Sequence, residues 1–541
     1  MSTMDFLFQP LAASVGASVD QIKLISCLLA SYPLGSVFIR IPVWAHAAKH
    51  LFNVAVAVFY FIPVLNLKLA FAQLLGDVLA TYYIAKTVKS SRMPWIVFFL
   101  TMSHLMVNHV IRAFSKQSYE TVEITGPQMV LVMKLTTFAW NVWDGRRPAE
   151  DLDTWQLKMR VTTYPSLLAF LGYSFYFPGV LVGPYIEYAA YTSLVDGTLF
   201  EVPIEPHQPP PPPRRRAVPD GRKRVAYRKG LLGLIYLGLF VGFSGTFNFG
   251  VTLADWFVQH NVFYRLAYFQ ICGFFERAKY YGVWTLTEGA AILTGFGFTG
   301  FAPGGGTRWE GAANIDVLAV EFPSNFKVLL DSWNMKTNVW LRECMYKRVT
   351  PKGRKPGFRS TMTTFATSAL WHGIAPGYYI TFLFGGFVQT AGRLCRSHLR
   401  PLFMPVVPAP IAQSANGTAP DKKVPEVSAS STKKDYDVAG MFATILIFNF
   451  VAAPFALGTF QDSMEAWRRL NWYGLWMVGG CLTFFYCGGR AWVKGVQTRR
   501  VKAASGVAVQ SSITHSGADR THAPSVPPVD AAVREARRRM R

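Results

Sequence analysis

The most informative stretch of the chain reads Thr361-Met-Thr-Thr-Phe-Ala-Thr-Ser-Ala-Leu-Trp-His-Gly-Ile-Ala-Pro-Gly-Tyr-Tyr-Ile-Thr-Phe-Leu-Phe-Gly-Gly-Phe387. It contains no Asp, Glu, Lys or Arg, and it is long enough to cross a bilayer, which takes about 20 mostly apolar residues. Gly373, Pro376 and Gly377 interrupt the helix that this composition otherwise favours. The stretch therefore predicts a broken membrane helix, with His372 at the break.

The composition of the whole chain fits the same interpretation. Of 541 residues only 16% are charged, against about 25% in soluble domains, and 51% are hydrophobic. The formal net charge of +24 comes from short clusters between apolar runs, a pattern typical of the cytoplasmic loops of membrane proteins rather than of a nucleic-acid binder. The six cysteines form no CxxC pair, so we expect neither a disulfide framework nor a zinc site.

Twelve apolar windows reach or approach the length of a membrane span, and we predict about eleven spans from them. Ser18 and Gln21 form a potential capping box before the first window. Irregular backbone survives at membrane depth only where protein or water satisfies it, so the broken windows are expected to line a cavity. We predict an all-α polytopic membrane protein with re-entrant or broken helices around a central cavity. The windows are Gln21–Val43, Leu51–Leu65, Leu67–Ala85, Pro94–Phe114, Gln128–Trp143, Tyr164–Tyr188, Gly230–Phe247, Val262–Phe275, Tyr281–Phe301, Thr361–Leu394, Val438–Phe460 and Tyr473–Gly488, with the total uncertain by about two.

The polar segments predict the domain organisation. An N-terminal segment, 1–20, precedes a polytopic domain over 21–489. Within that domain, 205–229 is a Pro/Arg-rich loop facing anionic headgroups and 401–437 is a flexible linker. Residues 490–541 are polar, basic and rich in small residues, so we expect a disordered tail.

His372 is the leading candidate for a catalytic residue. An ionisable side chain inside a membrane window is costly to bury and is a functional candidate by default, and a neutral imidazole can accept a proton. A structural hydrogen bond is the alternative, and the residues alone leave both open. For His104 and His109, which share another apolar window, we favour a structural role.

A second polar and aromatic stretch, Asp331–Arg348, lies upstream of His372. We predict one continuous helix, which would suit the wall between a hydrophobic tunnel and an aqueous mouth; an interfacial helix with an aromatic belt is the alternative. One face would carry Asn334, Asn338, Leu341, Met345 and Arg348, and a neighbouring face would carry Trp333, Thr337 and Trp340.

Two further motifs resemble ligand-binding segments. The segment Lys347–Arg359 has six cations and no acidic residue, so Lys352, Arg354 and Lys355 are candidates for contact with the phosphates of coenzyme A; topology control is the alternative. The segment Gly295–Gly300 matches GxGxxG without a βαβ context, and we expect packing glycines of a membrane helix rather than a dinucleotide site.

The ordered set of motifs resembles the membrane-bound O-acyltransferase (MBOAT) family and, within it, the fungal-type lysophospholipid acyltransferases. The resemblance covers most of Glu123–Leu394. The matching segments are Ser332-Trp-Asn-Met-Lys-Thr-Asn-Val-Trp-Leu-Arg-Glu-Cys-Met-Tyr-Lys-Arg348, Ala369-Leu-Trp-His-Gly373, Pro376-Gly-Tyr-Tyr379, Glu123–Leu135, Trp140–Gly145, Pro178–Tyr188, Trp309–Asn314 and Glu321-Phe322.

The resemblance implies a multi-pass enzyme of the endoplasmic reticulum membrane that moves an acyl chain from acyl-CoA to the sn-2 hydroxyl of 1-acyl lysophospholipids. These are lysophosphatidylcholine, -ethanolamine and -serine and lysophosphatidic acid. It places the catalytic histidine at His372 and the paired asparagine at Asn334. It implies acyl-CoA as co-substrate, with no bound cofactor, no metal and no nucleic acid. Candidate substrate contacts are Trp333, Thr337, Asn338, Trp340, Tyr346, Arg348 and Trp371.

Two alternatives stay open from the sequence. A related acyltransferase could act on a sterol, a diacylglycerol or a protein, although Gly373 stands where the sterol and diacylglycerol branch has an acidic residue. A transporter would explain the apolar windows but not the pair formed by Asn334 and His372.

Overall fold

The computed structural model describes residues 4–115, 121–201, 218–351, 353–354, 356–404 and 431–514, with the backbone alone for 431 and 504–514. Helices dominate, and the prediction of an all-α chain is confirmed. They are α1 Asp5–Val15, α2 Val19–Phe38, α3 His46–Phe59, α4 Lys68–Thr87, α5 Met93–Phe114, α6 Thr125–Asp144, α7 Thr154–Met159, α8 Leu167–Ser174, α9 Tyr188–Asp196, α10 Arg222–Phe243, α11 Asp255–Gln259, α12 Val262–Leu293, α13 Val317–Glu321, α14 Phe326–Ser332, α15 Met335–Leu341, α16 Phe358–His372, α17 Pro376–Leu394, α18 Arg400–Phe403, α19 Ser431–Leu457, α20 Phe460–Arg469, α21 Tyr473–Phe484 and α22 Arg490–Thr514.

Shorter elements connect the helices. The strands β1 Gly300–Phe301 and β2 Thr307–Arg308 pair antiparallel, with Gly300 opposite Arg308. The π-helical turns are Tyr60–Val64, Arg342–Tyr346, Cys395–Leu399 and Phe485–Gly489, and the 3-10 turns are Ala149–Asp151, Phe177–Gly179, Thr198–Phe200, Phe249–Leu253 and Glu310–Ala312.

The chain divides into two compact units. One comprises Met1–Leu394 with Asp437–Thr483, and the other Cys395–Tyr436 with Phe484–Arg541. The candidate site residues belong to the first unit. Among the described residues, five helical segments are long and apolar enough to cross a membrane, so the total of about eleven spans stays a prediction. The five are Val19–Phe38, His46–Val64, Met93–Phe114, Arg222–Phe243 and Thr432–Leu457.

The start of α2 confirms the predicted capping box. The Ser18 hydroxyl accepts from the Gln21 amide, and the Gln21 side chain accepts from the Ser18 amide. This reciprocal pair satisfies two backbone donors that the first turn of a helix otherwise leaves free.

The prediction of two separate windows around residue 278 is wrong, because α12 is one continuous helix. The charged residues between the windows form ion pairs on and beside this helix instead of a loop. Arg277 donates to both carboxylate oxygens of Glu321, at 2.9 and 2.8 Å, and Lys279 pairs with Glu276 at 3.3 Å. Paired charges of this kind let a helix continue through an apolar setting.

The expectation that Gly295–Gly300 packs within a membrane helix is also wrong. The helix α12 ends at Leu293, and Gly295, Gly297 and Gly300 have φ of 98°, 100° and 110°. These left-handed conformations suit glycine, and they turn the chain out of the helix toward β1.

Three predicted polar segments are shorter than expected. Helix α10 begins at Arg222, so the basic residues up to Lys229 are helical; residues 202–217 of the Pro/Arg-rich loop lie outside the described residues. The predicted linker is helical at both ends, in α18 and α19, and residues 405–430 are not described. The predicted disordered tail begins with α22, whose Arg, Lys, Gln and Ala residues are strong helix formers. Residues 515–541 lie outside the described part of the chain.

Candidate active site

Helix α6 provides the surface on which the candidate site is assembled. Met129, Met133, Thr136, Trp140 and Asp144 follow one another at steps of three and four residues, so they share one face of α6. All of them except Met129 are buried. Each contacts a side chain from the segments that carry Asn334 and His372, as described below.

The segment that follows Asn334 contacts α6 at successive turns. The Thr337 hydroxyl lies 3.3 Å from the Met133 sulfur, and the Trp340 indole donates to the Thr136 hydroxyl at 2.8 Å. One turn further on, Cys344 Sγ lies 3.5 Å from the Thr137 hydroxyl. Because these contacts are buried, they determine how α15 lies against α6.

Arg348 completes this series at the far end of α6. Its guanidinium donates to the Asp144 carboxylate with two nitrogens, one of them at 2.9 Å, and lies 4.3 Å from the Trp140 ring centroid. The Asp144 side chain is fully buried and that of Arg348 is 7% exposed. A buried bidentate pair leaves little of the guanidinium for a substrate, so these contacts favour a structural role for Arg348 over the predicted substrate contact.

The continuous helix predicted over Asp331–Arg348 is wrong. Helix α14 ends at Ser332, and Asn334 adopts a left-handed conformation with φ 44° and ψ 54° before α15 begins. A π-helical turn over Arg342–Tyr346 then inserts a further residue into the helical register. Asn tolerates the left-handed region better than most residues do. The predicted common face from Asn334 to Arg348 therefore does not exist.

His372 lies at the last residue of α16, where Gly373, with φ 125°, ends the helix. This agrees with the predicted break. Its imidazole stacks on Phe382 with ring centroids 4.9 Å apart and meets the edge of Phe455 at 5.0 Å. Among the residues that the structure describes, neither ring nitrogen of His372 has a hydrogen-bond partner. The ring is held by aromatic packing, and its nitrogens stay available.

Trp371 positions the helix end that carries His372. Its indole donates to the Met129 carbonyl at 2.9 Å and packs against the tilted ring of Trp340, with ring centroids 5.7 Å apart. Its own carbonyl accepts from His109 Nε2 at 3.2 Å. His109 thus has the structural role that the sequence favours, but it lies beside the catalytic candidate, which the sequence did not indicate.

Asn334 is held by hydrogen bonds to its side-chain oxygen. Oδ1 accepts from Asn314 Nδ2 at 3.1 Å and from the Thr337 hydroxyl at 2.9 Å. No described residue hydrogen-bonds to Asn334 Nδ2. The free polar atom of this amide is therefore a donor.

The remaining predicted substrate contacts are dispersed. Trp333 packs in a different aromatic cluster, 5.2 Å from the Trp284 ring and 6.0 Å from that of Phe448. Asn338 donates to the Leu330 carbonyl at 2.9 Å, and Tyr346 is half-buried in the π-helical turn. The structure thus brings Thr337 to Asn334 and Trp340 to Trp371, but places Trp333 elsewhere.

The predicted phosphate-binding segment is only partly described. Arg354 is exposed, whereas Lys352 and Lys355 lie outside the described residues. Nearby, Lys347 pairs with Asp153 at 2.7 Å. Partial burial opposes ionisation of Asp153, but the Lys347 ammonium and two backbone amides outweigh it and lower the pKa of the carboxyl. Lys347 is therefore neutralised, and Arg354 has no such carboxylate within the described residues.

Sequence reasoning missed the residues that support the site. No sequence spacing relates these supporting residues to Asn334 or His372, because only tertiary packing brings them together. They are Asn314, Met133, Thr136 and Asp144. The available signal lay in the motifs: Asn314 ends the family-like segment Trp309–Asn314, and Asp144 lies within Trp140–Gly145.

Comparison with known proteins resolves the family. The model of the membrane-bound O-acyltransferase family matches residues 90–411, more than half of the chain, and this range includes Asn334 and His372. The chain belongs to the MBOAT family. This confirms the resemblance seen in the sequence and makes the protein an O-acyltransferase.

The MBOAT chain is similar to curated relatives over most of its length. A lysophospholipid acyltransferase of Schizosaccharomyces pombe is 37% identical over 467 residues, covering 86% of each chain. A lysophospholipid acyltransferase of Saccharomyces cerevisiae is 36% identical over 485 residues, which cover 87% of this MBOAT and 74% of the relative. The human membrane-bound glycerophospholipid O-acyltransferase 1 is 28% identical over 476 residues, covering 86% and 88%.

Proposed function

We propose that this MBOAT transfers an acyl chain from acyl-CoA to the sn-2 hydroxyl of 1-acyl lysophospholipids in the endoplasmic reticulum membrane. The names of the fungal relatives support the class of acceptor. The proposed headgroups are choline, ethanolamine and serine, together with lysophosphatidic acid. Neither a metal nor a bound cofactor takes part in the proposed reaction.

One observation carries the proposal. The imidazole of His372 is fixed by aromatic rings, and its helix end is anchored through Trp371, yet both ring nitrogens lack partners among the described residues. A structural histidine in an apolar setting is expected to form hydrogen bonds through its ring nitrogens. A general base must instead keep a nitrogen free for the proton that it removes.

The proposed reaction is a direct transfer between the two substrates. His372 accepts the proton of the lysophospholipid hydroxyl as the hydroxyl oxygen bonds to the thioester carbonyl carbon. The carbon–sulfur bond then breaks, and the proton passes from His372 to the leaving sulfur, which yields free CoA thiol and the diacyl phospholipid. A positioned general base typically supplies about 10²–10⁴-fold in rate.

Asn334 has the second role in this mechanism. Its Nδ2 group donates to the thioester carbonyl oxygen, on which negative charge develops as the hydroxyl attacks. Removal of one such donor typically costs about 10²–10³-fold in rate. No acyl-enzyme forms, so no cysteine is essential.

The substrates meet the site from different sides in this proposal. The lysophospholipid enters from the bilayer, and its tail and the acyl chain lie in apolar channels between the helices. Acyl-CoA enters from the cytosol, where Lys352, Arg354 and Lys355 contact its phosphates. Charged groups at such an entrance raise the local concentration of an anionic substrate.

The test is acyl transfer from labelled oleoyl-CoA to a panel of lysophospholipids. Membranes containing the wild type, His372→Ala and Asn334→Ala at matched abundance are compared. We expect transfer by the wild type, none above background by His372→Ala, and a rate lower by about 10²-fold in Asn334→Ala. Near-normal transfer by His372→Ala would contradict the mechanism.

Failure of the wild type on every lysophospholipid would contradict the proposed substrate. The same membranes would then be offered sterol, diacylglycerol and protein acceptors. Release of free CoA thiol in the same assay separates any acyltransferase from a transporter, which should release none. Co-fractionation of the full chain with endoplasmic reticulum markers tests the proposed location.

A further inference from the structure

Asn314 connects the backbone of α15 to the side chain of Asn334. It follows the 3-10 turn Glu310–Ala312 and is 3% exposed. Its backbone carbonyl accepts from the Met335 amide at 2.9 Å, and its Oδ1 accepts from the Lys336 amide at 2.9 Å. Its Nδ2 donates to Asn334 Oδ1 at 3.1 Å. One buried side chain thus caps the start of α15 and contacts the catalytic amide.

These contacts determine which way both amides face. A backbone N–H can only donate, so the Asn314 atom that faces Lys336 must be the oxygen. Nδ2 of Asn314 therefore faces Asn334, and because an amide nitrogen can only donate, the Asn334 atom that it meets must also be an oxygen. The orientation of both side-chain amides follows from the Lys336 backbone N–H, which can only donate. It therefore does not require the oxygen and nitrogen of either amide to be distinguished from their positions.

The Thr337 hydroxyl completes the arrangement. It lies 2.9 Å from Asn334 Oδ1, so this oxygen receives two donors, one for each of its lone pairs. Asn334 is left with Nδ2 as its available polar group. Rotating the amide by half a turn would place Nδ2 against the Asn314 donor and leave a buried donor pair without an acceptor, which is unfavourable.

We propose that Asn314 is a positioning residue that makes Asn334 a hydrogen-bond donor toward the acyl carbonyl. The inference rests on the proposed acyl transfer, and it selects between the two roles open to Asn334. A donor stabilises the charge that develops on the thioester oxygen. An acceptor would instead orient a hydroxyl of the substrate. Asn314 touches neither substrate in this proposal and acts only through Asn334.

Asn314→Asp tests the proposal with almost no change in side-chain size. The aspartate still accepts from the Lys336 amide, but its second oxygen now faces Asn334 in place of a donor. Asn334 is then expected to turn its nitrogen toward residue 314 and its oxygen toward the substrate. Asn325→Asp is the matched control, because Asn325 caps α14 through its oxygen, which accepts from the Lys327 and Val328 amides. Asn325 Nδ2 also donates to the Ser324 hydroxyl, but that hydroxyl can donate to a carboxylate instead, so an aspartate serves there as well.

The relative affinity for two unreactive acyl-CoA analogues distinguishes the positioning role from a purely structural one. A purely structural defect would change both affinities alike and leave their ratio unchanged. One analogue is a ketone, with a methylene between the sulfur and the carbonyl, and the other is a thioether without a carbonyl. We expect the purified wild type and Asn325→Asp to prefer the ketone by up to about tenfold, the upper range for one hydrogen bond. Asn314→Asp and Asn334→Ala should lose that preference and still bind the thioether at full stoichiometry.

Three outcomes decide the proposal. Loss of the ketone preference in Asn314→Asp, with a kcat lower by about 10²-fold and an unchanged KM for acyl-CoA, supports it. A wild-type preference in Asn314→Asp overturns it. A wild type that binds both analogues equally also overturns it, because Asn334 would then donate to no acyl carbonyl.

Two controls keep the proposal testable. If Asn314→Asp does not bind the thioether, it is misfolded, and Asn314→Ala is measured instead. Full wild-type preference for the ketone in a folded Asn314→Ala overturns the proposal, and loss of most of the preference supports it. Acyl transfer by the wild type is assayed separately, so failure of the proposed function is distinguished from failure of the positioning role.

Discussion

The indole rings of Trp371 and Trp340 contact each other at a tilt of 45° with their centroids 5.7 Å apart, and both indoles donate to α6. Trp371 directly precedes His372, and Trp340 lies on the helix that begins after Asn334. The two catalytic candidates adjoin separate helices, α15 and α16. Trp340 and Trp371 anchor both of these helices to α6. The geometry of the site therefore depends on side chains that take no part in the reaction.

Trp340→Ala should lower both stability and activity. The side chain is fully buried, and truncation of a buried aromatic to Ala typically costs about 3–5 kcal/mol. Trp340→Phe keeps one aromatic ring but loses the bond to Thr136 and part of the buried volume, so a loss smaller than that of Trp340→Ala is expected. Thermal unfolding in detergent and kcat give the two readouts. The control is Trp476→Ala, at a site that is 74% exposed; equal effects in Trp340→Ala and Trp476→Ala would refute this prediction.

Gly373→Ala should lower kcat through His109. Its φ of 125° is unfavourable for Ala, and the new Cβ would lie 3.1 Å from His109 Nδ1. The His109 ring would have to move by a few tenths of an ångström, which weakens its bond to the Trp371 carbonyl. We therefore expect a loss of rate smaller than the roughly 10²-fold that a misplacement of about 1 Å can cause.

A matched glycine separates this contact from backbone strain. Gly304 has φ 97° and no atom within 4 Å of an added Cβ, so Gly304→Ala carries the strain without the collision. We expect its kcat to be near that of the wild type, as measured in the same transfer assay. Equal losses in Gly304→Ala and Gly373→Ala would show that His109 is not involved.

Arg348 and Asp144 should behave as a structural pair. Removing one member of a buried ion pair typically costs about 3–5 kcal/mol, whereas replacing both by apolar residues of similar volume costs much less. Arg147 also donates to the Asp144 carboxylate, at 3.3 Å. We therefore expect Arg348→Met and Asp144→Leu each to destabilise the protein, and the double variant to recover part of the loss. Thermal unfolding measures the recovery. If the double variant is stable but its KM for lysophospholipid rises strongly, Arg348 binds substrate after all.

Cys344→Ala should retain acyl transfer. The thiol is buried against Thr137 and lies on the segment that carries Asn334, which makes it the cysteine best placed for an acyl-enzyme. Direct attack on the thioester needs no such intermediate. Transfer from labelled acyl-CoA, normalised to thioether-analogue binding, measures the effect, with His372→Ala as the inactive reference. Complete loss in a folded Cys344→Ala would require a different mechanism.

Local chemistry made part of this structure predictable. The helix break after His372 follows from Gly373 and Pro376, and the start of α2 follows from Ser18 and Gln21; each is a short-range effect of residue type. The family resemblance indicated His372 and Asn334 because both lie in recognisable motifs.

Other features depend on packing that no periodicity reveals. Asn334 leaves the helical conformation at the point where Asn314, twenty residues away, accepts from the two backbone amides that follow Asn334. The π-helical turn after Leu341 shifts every later side chain, and nothing in its residue types predicts the extra residue. Likewise, α12 runs through a charged segment because Glu321 arrives from a separate helix to pair with Arg277.

The contacts along α6 restrict where the chain can gain or lose residues. Deleting one residue between Met129 and Asp144 would rotate everything beyond it by about 100°. The anchor of Trp371 at one end would then lose its alignment with the partners of Trp340 and Arg348 at the other. A change of length outside Thr125–Asp144 leaves the contacts along α6 in register with one another. Insertions and deletions should therefore accumulate among relatives on either side of α6, while the length of the helix itself stays constant.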